Sequence, residues 1–159
     1  MWTNFFVAAA GASAALAGLA IVAISVNLKR ILEFPHLPAR SAATVARLIL
    51  ILVSSMAALI PQPPHALGVE IAAFAAAAWW LEIRSNRRGL RAHMELGRPR
   101  FESLLESVAG ELQILPFLIG AVLLMTNRSS GNYCIAVGVL AIFIFSTLNV
   151  WVLLVEILR

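Results

Sequence analysis

Phe5 to Val26 is a run of 22 residues without one charged side chain. A helix needs about 20 apolar residues to cross about 30 Å of hydrocarbon. A soluble domain has nowhere to hide such a run, and this chain holds several of them. Of its 159 residues 61% are hydrophobic and 13% charged, with a mean hydropathy of +0.90. Soluble domains lie nearer half apolar and a quarter charged. The expectation is an all-α integral membrane protein.

Five spans can be read along the chain, at about 5–27, 42–60, 67–83, 101–126 and 134–158, forming one transmembrane domain over 1–159. No Lys or Arg precedes the first run, as a signal peptide would require. It reads as a retained helix with its N-terminus outside. Pro35 and Pro38 are expected to keep the first linker extended, with Ser41 as N-cap of the second span. Pro61-Gln62-Pro63-Pro64 is a tight turn between antiparallel spans. The third span ends in Trp79 and Trp80, as an interfacial aromatic belt would. The stretch 84–100 carries six arginines broken by Gly89, Gly97 and Pro99, and is read as a basic cytoplasmic loop. The fourth span is polar in its first half and contains Pro116, a kink candidate.

Charge tests this layout. With the N-terminus outside, 11 of the 12 basic residues fall on the inner side and only Arg128 lies outside. That is the bias the positive-inside rule requires. It predicts a multi-pass membrane protein with a cytoplasmic C-terminus. The basic residues are therefore assigned to topology, and no nucleic-acid partner is expected. Arg84, Arg87, Arg88 and Arg91 are candidates for contact with anionic lipid headgroups.

The first span has internal order. Asn4, Gly11, Gly18 and Ser25 recur every seven residues, with Ala8, Ala15 and Val22 between them on the same helical face. In a bilayer, small residues let backbones approach closely. This seam is expected to pack against another helix, within the subunit or between subunits, and a homo-oligomer is the expected assembly.

Ionisable residues inside a membrane are functional hypotheses by default, each with a partner to be named. Arg47, Glu82 and Glu156 are placed at similar depth near the inner surface, with Glu111 deeper, and Asn27 and Ser25 at the depth of Arg47. Asn149 and Ser146 share a face of the fifth span with Leu153 and Glu156. The candidate polar cluster is therefore Asn27, Arg47, Glu82, Glu111, Asn149 and Glu156. One reading is a pair in which Arg47 meets a glutamate and fixes how helices dock. The other is a path for a cation or proton. Glu102, Glu106 and Gln113 share one helical stripe, on which Glu102 and Glu106 can answer Arg98 and Arg100.

Catalytic and metal signatures are missing from the sequence. Cys134 is the lone cysteine, aspartate is absent, and His36, His65 and His93 fall in three separate loops. The Zn-protease, nucleophile-elbow, P-loop and dinucleotide motifs do not occur. No enzyme activity and no cofactor are expected.

Several stretches carry a likeness. Phe5-Phe6-Val7, Ala10-Gly11, Gly18-Leu19, Ile24 to Leu32, Leu37-Pro38-Ala39-Arg40 and the tail Leu148 to Arg159 resemble a family of small bacterial membrane proteins labelled hypothetical modulators of the FtsH protease. The resemblance spans the chain and is strongest at its ends. It implies a compact bundle in the bacterial cytoplasmic membrane, with a membrane-bound protease as candidate partner. Two functions are therefore expected in competition. One is a non-enzymatic regulatory or scaffolding partner; the other is a homo-oligomeric ion channel or proton/cation pathway lined by polar residues.

Overall fold

The computed structural model describes residues 2–33, 37–96 and 100–155. All elements in them are helices: α1 (Trp2–Val26), α2 (Leu28–Glu33), α3 (Leu37–Leu59), α4 (Pro64–Leu96), α5 (Arg100–Met125) and α6 (Gly131–Val155). Four helical stretches are long and apolar enough to cross a membrane: Trp2–Val26, Ser41–Leu59, Pro64–Arg84 and Gly131–Trp151. In α5 the apolar stretch is shorter, Gly110–Met125. This all-helical architecture, with four apolar helices of spanning length and a fifth only partly apolar, is compatible with a multi-pass membrane protein.

Consecutive long helices pack side by side: α1 on α3, α3 on α4, α4 on α5, α5 on α6. The bundle closes because α6 also touches α1 and α3. At one end Trp2 meets Tyr133 edge-on, their ring centroids 4.7 Å apart. Towards the other, Val150 packs with Ala20 and Ala23. α1 and α6 therefore run parallel, as the first and last of five alternating long helices must. The core between them holds Phe6, Leu50, Ile71, Ile114, Phe117 and Ile142.

Helix boundaries differ from the sequence reading in two places. The first is the linker before the second span. α3 begins at Leu37, so Pro38 lies in its first turn, where a missing N–H costs nothing and a fixed φ favours the helix. Ser41 is consequently inside the helix and buried, rather than its cap. The second is the basic stretch 84–100, which is no loop over most of its length, because α4 continues to Leu96. Arg, Leu, Ala, Met and Glu are all good helix formers, and one glycine at position 89 costs only about 1 kcal/mol. α5 likewise runs unbroken through Pro116.

α5 ends in a left-handed cap. Asn127 has φ 56°, its N–H donates to Leu124 O, and that of Arg128 donates to Leu123 O, at 2.9 Å each. This is the Schellman pattern, with asparagine in the position glycine usually takes. α6 begins shortly afterwards at Gly131, and there the two helices touch through backbone. A Cβ on Gly120 would lie 2.8 Å from Gly131 O, and one on Gly131 would lie 2.6 Å from Gly120 O. Gly68 brings α4 equally near to α5, at Ala121 O. Gly68, Gly120 and Gly131 therefore permit close packing inside the bundle, and Gly11 and Gly18 do not.

Candidate functional site

Arg47 stands at the junction of three helices. Its α3 backbone faces α4, and α4 in turn packs on α5. It is 5% exposed and Glu82 of α4 is 4% exposed, both in the core of the molecule. Arg47 Nε lies 3.8 Å from Glu82 Oε2, a charge contact longer than a hydrogen bond. The same Nε–H donates to Ala43 O at 3.3 Å, one turn back on α3. Nη1 donates to Gln113 Oε1 of α5, also at 3.3 Å. One guanidinium thus links α3, α4 and α5, as its several donors in a planar fork allow.

The space for this arrangement comes from Gly110. A Cβ there would collide with Glu82 Oε1 and lie 3.6 Å from Arg47 Nη1. Gly110 and Gln113 are one helical turn apart on α5, so α5 offers the site a gap and an acceptor on one face. Glu111 follows Gly110, is half-buried, and acts on Glu82 as a like charge. A buried cation therefore faces one close carboxylate, that of Glu82. Chemically the centre can hold helices in register. Its polar atoms point at one another.

Of the six residues proposed as a polar cluster, the structure brings Arg47 and Glu82 together, with Glu111 in electrostatic range. Asn27 is buried at the α1–α2 junction and donates from Nδ2 to Ala23 O at 3.1 Å. Asn149 is half-buried on α6, one turn from the buried Ser146. Glu156 lies outside the described residues, as do the side chains of Arg87, Arg88, Arg91, Glu102, Glu106 and Leu153. Ser25 is exposed and bonds its own helix at Ile21 O, 2.8 Å, so it has no share in the buried centre. Gln113 and Gly110 complete the site. The sequence pattern places Gln113 on a stripe with Glu102 and Glu106 and gives Gly110 no role. The signal for both was a glycine and an amide three residues apart in a helix facing Glu82.

The α1 seam has a clear placement. The buried side of α1 is Phe6, Ala9, Ser13, Ala20 and Ala23. Asn4, Ala8, Gly11, Ala15, Gly18, Val22 and Ser25 are all exposed, on the opposite side of the helix. A Cβ built on Gly11 or Gly18 meets nothing within 4 Å. The seam therefore plays no part in packing within the subunit.

Compared with protein-family models, with curated proteins and with solved structures, the chain matches none.

Proposed function

We propose that this chain is a non-enzymatic regulatory or scaffolding protein of the bacterial cytoplasmic membrane, acting by docking the outward seam of α1 against another transmembrane helix. That helix belongs to a partner, for which a membrane protease is the candidate the family resemblance suggests, or to a second copy of the chain. The observation that carries this reading is the open row from Asn4 to Ser25. A lipid-facing helix gains nothing from glycines at positions 11 and 18, whereas a helix–helix contact does. The topology that goes with it is five spans, N-terminus outside and C-terminus inside, with the partly apolar α5 sheltered between α4 and α6. Arg47 contacts both Glu82 and Gln113 across the bundle, which supports a docking role for them over an ion path.

Filling the seam tests this. Gly11→Leu/Gly18→Leu adds side chains into open space, so thermal stability in detergent should stay within about 1 kcal/mol of wild type, helix propensity favouring the variant. Association in native membranes, read by chemical cross-linking of the full chain, should be lost. Unchanged cross-links in a folded variant would sink the reading.

A further inference from the structure

On the outer side of the α3–α4 pair runs an open apolar groove of about 190 Å³, walled by Ala46, Ile49 and Val53 of α3 and by Phe74, Ala77 and Leu81 of α4. Alanines on both helices make the hollow, and the larger residues form its rim. From Phe74 to Leu81 it follows α4 for about 10 Å at 1.5 Å per residue. It offers almost no polar surface, so water has no partners there. Left empty in a bilayer, its walls would forfeit their dispersion contacts.

The end of the groove has a different chemistry. Arg84 follows Leu81 by three residues and Ala77 by seven, which puts it on the same side of α4. Its guanidinium carbon sits 5.3 Å from the Trp80 ring centroid, a cation–π distance that orients the side chain. Arg84 is exposed, and among the described residues no carboxylate pairs with it. An apolar trough leading to a cation and an interfacial tryptophan is amphipathic in the same sense as a phospholipid. A helix about 10 Å across could lower only single side chains into the trough, whereas a hydrocarbon chain can lie along it.

We infer that the groove between α3 and α4 binds one acyl chain of an anionic phospholipid, whose phosphate is met by Arg84. This rests on the bundle lying in a bilayer and is independent of the α1 seam.

The test is native mass spectrometry of the full chain with phosphatidylglycerol or phosphatidylcholine of equal chain length, joined to photolabelling by a lipid with a diazirine in its acyl chain. Wild type should retain one phosphatidylglycerol in preference to phosphatidylcholine. Arg84→Gln should cut that preference about fivefold, the factor set by about 1 kcal/mol per surface cation, without altering phosphatidylcholine binding. Ala77→Phe, at an exposed position, should abolish retention of both lipids, and Ala46→Leu should do the same from the opposite wall. Label should map to 46–53 and 74–81. Wild-type retention in both groove-filling variants, or label spread evenly over the outer faces, would overturn the site. A photo-cross-linking residue placed at Ala77 that captured a protein in place of lipid would assign the groove to a partner helix instead. A chain that does not enter bilayers would take no acyl label on any helix, which separates that failure from a misplaced groove.

Discussion

Replacing Arg47 with Met should lower the unfolding free energy by about 3–5 kcal/mol, the cost of leaving a buried charge without its partner. Glu82 would keep its carboxylate at 4% exposure with Glu111 as a like charge, and Gln113 would lose the Nη1 donor. The double variant Arg47→Met/Glu82→Gln removes both charges and should recover most of the loss, because a buried pair is worth little more than an apolar replacement of similar volume. Arg47→Lys should fall between the two, since a point ammonium cannot serve Ala43, Glu82 and Gln113 together. Reversible unfolding in mixed micelles or by steric trapping measures all three. A single variant as stable as wild type would show that the charge contact at 3.8 Å does not hold the helices. A double variant as unstable as the single would show that lost packing, not stranded charge, is responsible.

Gly120→Val should be among the most damaging changes of a small residue. Its Cβ would approach Gly131 O at 2.8 Å and Ile135 Cγ1 at 2.7 Å. Ile135 can yield, but Gly131 O is backbone at the start of α6, so α5 and α6 must separate. Overpacking of this kind costs about 1–3 kcal/mol, and a forced backbone shift puts it at the upper end. The contrast with Gly11 and Gly18 is the informative part, because the same type of substitution there meets open space. A thermal melt that ranks Gly120→Val far below Gly11→Leu/Gly18→Leu would agree with the geometry. Equal melting temperatures would not.

That contrast also marks how far the sequence could be read. The helices announce themselves, because charge-free runs near the membrane thickness have one way to satisfy their backbone. The Arg47–Glu82 pair was legible too, since an arginine inside an apolar helix demands a carboxylate at its depth. Two things were not. Composition made 84–96 a loop, yet Arg and Leu continue a helix that has already been nucleated, and only chain context reveals it. Heptad spacing suggested a packing face on α1 without saying towards what. The face opposite, with Phe6, Ala9, Ser13 and Ala20, is nearly as small and has the same helical period. The sequence therefore offered two seams on one helix. Burial shows which of them the bundle uses. Glycines 68, 120 and 131 escaped notice because their partners are backbone atoms of other helices, which leave no pattern in sequence.

Docking of another helix on the unused side of α1 can be tested in the membrane itself. A photo-cross-linking residue placed in turn along α1, in membranes of cells expressing the full chain, measures it directly. Adduct yield should peak at Ala8, Gly11, Ala15 and Gly18 and fall at Ala12, Ala14, Leu19 and Ile21, which are also exposed but lie on the flanks of the seam. The adduct mass would tell a second copy from a different protein. Equal yield at seam and flank positions, or no protein adduct at any of them, would contradict it.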